Sequence, residues 1–182
     1  MTCIVGLAKD GEVTIGGDSA GSNNWQLTVR KDAKVFPNGD FLIGAGTSFR
    51  MIQLLRYSLI PPVYEKPLHD NPEYLSCYMA TSFVDSVREC LKNGGWAKKE
   101  AEQESGGVFL VGFQGRLFCI NSDYQVEETL CGYNAIGDGD DVALGSLYTT
   151  GEFMPHNRVE LALQAAEYHC STVRGPFIIE SV

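Results

Sequence analysis

Paired metal-ligand motifs are missing from this sequence. Its six cysteines (Cys3, Cys77, Cys90, Cys119, Cys131, Cys170) occur singly, without a C-x-x-C pair. Its three histidines (His69, His156, His169) form neither H-x-x-H nor H-E-x-x-H. That spacing argues against a zinc site, and no metal or cofactor is assigned. Most of the cysteines lie within apolar patterns and are expected to act as small core residues. A disulfide framework is not expected in a chain of this size without a signal peptide. Long apolar runs are missing too: none approaches the roughly 20 residues of a membrane span. No basic segment followed by a long apolar stretch opens the sequence, so no secretory signal and a cytoplasmic location are expected. Positive charge is scarce, with 14 Lys and Arg against 23 Asp and Glu and a net charge of −9. This balance argues against non-specific binding to nucleic acid or to an anionic membrane. There is also no internal repeat, low-complexity tract or linker. The 182 residues therefore read as one domain, 1–182, long enough to bury a sizeable core.

What the sequence does have is hairpins. Two apolar runs flank Lys9-Asp10-Gly11-Glu12, and Asp-Gly between such runs is a strong hairpin signal. A turn centred on Asp10-Gly11 brings Thr2 opposite Ser19 and next to Asp18. Residues 3–8 are apolar throughout, as expected of a strand covered on both faces. Ser19 to Asn24 is polar and reads as a loop, followed by a strand from about Leu27 to Phe36. Pro37-Asn38-Gly39-Asp40 signals a second turn, with Phe41 to Gly46 returning. This pairing sets Lys34 opposite Ile43 or Gly44, with Gly46 close by.

Helices follow. Thr47 or Ser48 is placed to cap a helix bearing Met51, Ile52, Leu55 and Leu59, which Pro61-Pro62 stops. Asn71 caps a second helix with Pro72 at its first position. Leu75, Met79, Phe83, Val87 and Leu91 repeat along it until Gly94-Gly95. Residues 96–106 are highly charged and read as a surface loop. A third hairpin turns at Gln114-Gly115, and a further strand ends near Ala135-Ile136. The acidic Gly137-Asp138-Gly139-Asp140-Asp141 opens a short helix to Tyr148. Asn157 and Glu160 resemble a capping box for a last helix carrying Val159, Leu163, Ala166 and Cys170. Gly175-Pro176 ends it, and Phe177-Ile178-Ile179 closes the chain as a strand. Strand blocks alternating with helix pairs predict an α+β fold: two antiparallel sheets stacked between helices, a four-layer αββα sandwich.

The chemistry sits at the first hairpin. Met1 precedes a small residue, so its removal is expected to leave Thr2 with a free α-amine. Such an amine titrates near pH 7.7–8 and can take a proton near neutrality. Threonine with its own amine is a recognised nucleophile–base pair.

Thr2-Cys3-Ile4-Val5-Gly6, Gly16-Gly17-Asp18-Ser19, Ala33-Lys34-Val35 and Ala45-Gly46 together resemble the proteasome β-type N-terminal-nucleophile hydrolases. The bacterial proteasome-like peptidase of an ATP-dependent protease belongs to that family. The match follows the element order of nearly the whole chain. The family needs an N-terminal threonine, an aspartate sixteen residues on and a lysine sixteen after that, and Thr2, Asp18 and Lys34 have this spacing. The resemblance implies a threonine peptidase that cleaves polypeptides, built as a homo-oligomeric ring, with a possible ATP-dependent unfoldase partner. It implies Thr2 as nucleophile, Lys34 held by Asp18 as the nearby positive charge, and the Gly46 amide as donor to the oxyanion. The family commonly has Gly-Ser-Gly where this chain has Gly137-Asp138-Gly139, so Asp138 stands where a serine positions the amine. A carboxylate there binds the amine more strongly but raises its pKa. A later aspartate usual in the family has no clear counterpart near Ser171 to Arg174. Two alternatives stay open: a non-catalytic assembly protein that keeps the fold, and an amidase acting on small molecules.

Overall fold

A computed structural model describes residues 2–23, 25–68 and 71–182; Met1, Asn24, His69 and Asp70 lie outside the described residues. The removal of Met1 therefore falls outside them, as do one end of the predicted polar loop and one of the three histidines.

The first hairpin pairs β1 (Cys3–Lys9) with β2 (Glu12–Gly17), Ile4 opposite Gly17 and Lys9 opposite Glu12. Its tight turn needs positive φ at both central residues, and Asp10 (+54°) and Gly11 (+83°) supply it. The predicted polar loop after Asp18 is instead a small ribbon of β3 (Ala20–Asn23) and β4 (Gln26–Val29). The strand expected over Leu27 to Phe36 is broken, because polar Arg30-Lys31-Asp32 turns the chain between β4 and β5 (Val35–Asn38). β5 pairs with β6 (Phe41–Ala45) two residues out of the expected register: Asn38 faces Phe41, so Gly39 and Asp40 form the turn and Pro37 lies inside the strand. Lys34 consequently meets Ala45, whose N–H donates to the Lys34 carbonyl at 2.9 Å. The shift carries Lys34 toward Gly46.

Ser48 caps α1 (Phe49–Tyr57) through its side chain. Asn71 caps α2 (Pro72–Tyr78) with Pro72 in its first turn. That helix passes through a π-helical turn, Met79–Phe83, into α3 (Val84–Asn93). The five apolar residues read from the sequence are all buried, yet they recur every four positions, more than the 3.6 of an α-helical turn. An unbroken α-helix would carry that row around its surface, and the wider turn takes up part of the excess. The charged stretch after it contains a short ribbon, β7 (Lys98–Glu100) with β8 (Gln103–Ser105). Then come β9 (Phe109–Phe113), β10 (Arg116–Ile120), β11 (Val126–Glu127) and β12 (Tyr133–Gly137). α4 (Asp140–Thr149) starts after Gly139, with Asp140 and Asp141 in its first turn. α5 (Pro155–His169) begins with Pro155 after Met154, so the Asn157–Glu160 capping box does not form; the proline already sets the helical φ two residues earlier. β13 (Ile178–Ser181) closes the chain against β2.

Among the described residues these strands form two main antiparallel sheets, β12-β1-β2-β13 and β11-β10-β9-β6-β5. Ile4, Val13, Ile15, Leu42, Leu110 and Leu117 pack between them. The outer face of the five-stranded sheet buries α1 to α3 around Phe41, Phe83 and Phe113. The outer face of the four-stranded sheet buries α4 and α5 on Cys3, Val5 and Leu7. β1 thus has apolar partners on both faces, and the layers run α, β, β, α as predicted.

Candidate active site

Thr2 is the residue just before β1, Asp18 the residue just after β2, and Lys34 the residue just before β5. The first two are brought together by one tight turn. The third arrives because β5 and β6 belong to the facing sheet, whose Val35 packs between the sheets. All three are buried: Thr2 at 3%, Asp18 at 1% and Lys34 at 2% exposure.

The polar atoms satisfy one another. The Thr2 hydroxyl donates to Asp18 Oδ1 at 2.6 Å and accepts from Lys34 Nζ at 2.7 Å. Lys34 Nζ also donates to Asp18 Oδ1 at 2.7 Å. That carboxylate accepts the Cys3 N–H at 3.0 Å, and its other oxygen accepts from Ala20 N–H at 2.9 Å and Arg174 N–H at 3.3 Å. A buried charge is tolerated when it is paired and hydrogen-bonded, and Asp18 meets both conditions. Burial lowers the Lys34 pKa from its usual 10.5, against the opposing charge and hydrogen bond of Asp18. Cys3, next to the nucleophile, is pushed up to about 12 mainly by its burial, so it remains a neutral thiol.

Gly46 lies against Thr2: a Cβ built on it would stand 2.1 Å from Thr2 Cγ2 and 3.1 Å from Oγ1. Only a residue without a side chain fits there. Gly137, at φ +103°, touches Thr2 in the same way from β12, and Gly139 N–H lies 3.4 Å from the Thr2 carbonyl. Asp138, between them, is exposed and accepts a hydrogen bond from the Thr172 hydroxyl at 2.8 Å. A cavity of about 470 Å³ opens beside Thr2, walled by Gly46, Thr47, Asn121, Glu127 and Asp138 among others. Gly44 is not part of it. Its missing side chain makes room for Ile4 and Ile15 between the sheets.

Of the five site residues read from the sequence, Thr2, Gly46 and Asp138 line this cavity, and Asp18 and Lys34 are hydrogen-bonded to the Thr2 hydroxyl. Thr172 and the Arg174 N–H were not foreseen; they enter from the other end of the chain, and no local pattern announces them. Phe49 was expected only as part of a helix. Its ring centre lies 3.8 Å from the Arg30 guanidinium carbon and 5.9 Å from Lys34 Nζ. Among the described residues, no group of three or more His, Cys, Asp or Glu is placed to hold a metal ion. No helix among them is long and apolar enough to cross a membrane.

No family profile and no curated protein sequence matches this chain. Solved structures do. Thiobacillus denitrificans BPH in complex with epoxomicin superposes at TM-score 0.77 with 17% identity, over 100% of this chain and 98% of that one. Eukaryotic HslV from Trypanosoma brucei gives TM-score 0.69 with 16% identity over 99% and 98%. Anbu, the ancestral β-subunit from Yersinia bercovieri, gives 0.65 with 13% identity over 99% and 81%. The fold of this chain is thus the proteasome-like, N-terminal-nucleophile fold that the resemblance implied.

Proposed function

We propose that the chain is a threonine peptidase in which Thr2, freed by removal of Met1, attacks the carbonyl carbon of a peptide bond. The observation that carries this reading is the Thr2 hydroxyl clamped between Lys34 Nζ at 2.7 Å and Asp18 Oδ1 at 2.6 Å in a buried site. The Oγ–C bond forms as the hydroxyl proton passes to the α-amine, directly or through a water. Lys34, held by Asp18, favours the alkoxide that develops at Oγ. The Gly46 amide donates to the tetrahedral oxyanion, a contribution typically worth about 3–4 kcal/mol. The protonated amine gives its proton to the departing nitrogen, the C–N bond breaks, and an ester on Thr2 remains. Water attacks that ester with the amine again as base, and the site is regenerated.

The unit that performs this is one domain over residues 1–182. Likeness to HslV supports a homo-oligomeric ring acting on polypeptides in the cytoplasm, with an ATP-dependent unfoldase as possible partner. The test is covalent. Mass spectrometry first verifies that Thr2 is amino-terminal, then reads the adduct with epoxomicin, the compound bound to BPH. An adduct on Thr2, with hydrolysis of fluorogenic peptides that Thr2→Ala abolishes, is the expected result. A free Thr2 that takes up no label overturns the reading. Asp138 favours one second reading, a non-catalytic assembly subunit, because a carboxylate set near the Thr2 amine would raise the pKa of the base. Under that reading Thr2→Ala leaves assembly and every cellular phenotype unchanged.

A further inference from the structure

The cavity beside Thr2 is lined in two ways. Cys119, Ala135 and Ile136, at 4%, 6% and 7% exposure, give it buried apolar surface. Its charged lining is of one sign: Glu127, Asp138 and Asp140 belong to it, and no described lysine, arginine or histidine does. Lys34 is already paired with Asp18 and so offsets little of this charge. The three acids differ in what they already hold. Asp138 accepts from the Thr172 hydroxyl at 2.8 Å. Asp140 accepts the Asp141 N–H at 2.8 Å in the first turn of α4, where the helix dipole favours a carboxylate. Glu127 comes from the other sheet, on β11 opposite Cys119 of β10. It is exposed and accepts one long hydrogen bond, from Asn121 Nδ2 at 3.4 Å. Its neighbour Glu128 is paired with Arg116, whereas Glu127 has no ion pair among the described residues.

We propose that this cavity takes the side chain of a lysine or arginine next to the scissile bond, and that Glu127 sets this specificity. This rests on the peptidase reading and adds the class of substrate to it. A peptide held for attack by Thr2 places a neighbouring side chain in the space that opens there. At about 470 Å³ that space is large enough for a long one. Lysine and arginine carry an apolar stem and a cationic head. The stem matches the Cys119, Ala135 and Ile136 surface, and the head meets the Glu127 carboxylate on the exposed side. An acidic side chain would meet three like charges instead, which selects against it. A cleft of one sign also concentrates ligands of the other.

The experiment uses the full chain with Thr2 verified as amino-terminal. Unfolded casein is digested, and mass spectrometry reads both sides of every cut bond. Normalised to composition, lysine and arginine are expected at one fixed position beside the cut about tenfold more often than aspartate and glutamate, the effect of one charged hydrogen bond. Glu127→Gln is expected to level this ratio and Glu127→Lys to invert it. The second readout needs no chemistry. Thr2→Ala protein is titrated with a fluorescein-labelled alanine pentapeptide bearing lysine at its centre, and with its glutamate counterpart, by fluorescence anisotropy. The lysine peptide is expected to bind about tenfold more tightly, and adding Glu127→Gln removes the difference. Cleavage of casein without this preference, or with a preference that Glu127→Gln leaves intact, overturns the inference and keeps the peptidase. A Glu127-dependent preference in binding, in a protein that cuts nothing, keeps the subsite and removes the peptidase. Equal binding of the two peptides with no cleavage overturns both.

Discussion

Lys34 Nζ and Asp18 Oδ1 are 2.7 Å apart, with the two side chains 2% and 0% exposed. A pair so placed is neutral as a unit, but either member alone is a buried charge. Removing one partner of such a pair commonly costs about 3–5 kcal/mol, whereas removing both is far milder. Lys34→Met also takes away the two hydrogen bonds that Lys34 Nζ donates to Thr2 and Asp18, which an uncharged lysine amine keeps. It is expected to lower stability by about 3 kcal/mol, and Lys34→Met with Asp18→Asn to recover much of that loss. Urea unfolding of the wild type, both single variants and the double variant measures it. A Lys34→Met protein as stable as wild type contradicts the pairing.

The same lysine makes a prediction about pH. Its pKa is lowered from 10.5 by burial, so in the folded protein it loses its proton at a pH where the unfolded chain keeps it. Between the lowered value and 10.5 the unfolded state binds more protons, and the Lys34 contribution to stability rises with pH in that window. In the proposed mechanism this charge favours the Thr2 alkoxide, and it disappears over the same window. Peptide hydrolysis is thus expected to fall on its alkaline side below pH 10.5 without unfolding caused by Lys34. A pH profile of kcat/KM with circular dichroism at each pH checks this, and an alkaline limb at or above the ordinary lysine value contradicts it.

Gly46→Ala places a methyl group where Thr2 Cγ2 would lie 2.1 Å away. Thr2 leads straight into β1 and Gly46 follows directly on β6, so Thr2 and the Gly46 amide must separate. The expected loss in kcat/KM is about 100-fold, the effect of removing one oxyanion donor. Labelling by epoxomicin should slow in parallel. An alanine variant with wild-type rates removes Gly46 from the mechanism.

Thiol reactivity should divide by burial. Cys3 and Cys119 are buried, with pKa values pushed up to about 12 by desolvation, while Cys77 and Cys131 are exposed. Brief treatment of the native protein with iodoacetamide near neutral pH should alkylate Cys77 and Cys131 and spare Cys3 and Cys119, as peptide mapping would show. Alkylation of native Cys3 would mean that the floor of the site opens.

Local signals accounted for much of the fold. The Asp10-Gly11 turn alone carries Thr2 to Asp18, because hairpin register follows from a turn of known length. The second hairpin shows the limit of the same reasoning. Pro37-Asn38-Gly39-Asp40 contains more than one possible turn centre, and the wrong choice displaced Lys34 by two positions. Ser48, Asn71 and Pro72 marked helix starts through their own hydrogen bonds and φ angles, so they could be read directly. Met154 was invisible as a cap because it makes no side-chain bond, and Asn157 imitated one. The first strand of the ribbon at Ala20–Val29 and the whole of the ribbon at Lys98–Ser105 are polar enough to read as loops. Thr172 and Arg174 lay beyond any local rule, since their contacts span 34 and 156 residues.

The bond from Arg174 to Asp18, with β13 laid along β2, ties together residues 156 positions apart in the sequence. The proposed nucleophile and its supports thus come from stretches made early and late in synthesis, and the site is complete only once the Arg174 stretch has folded back onto the first hairpin.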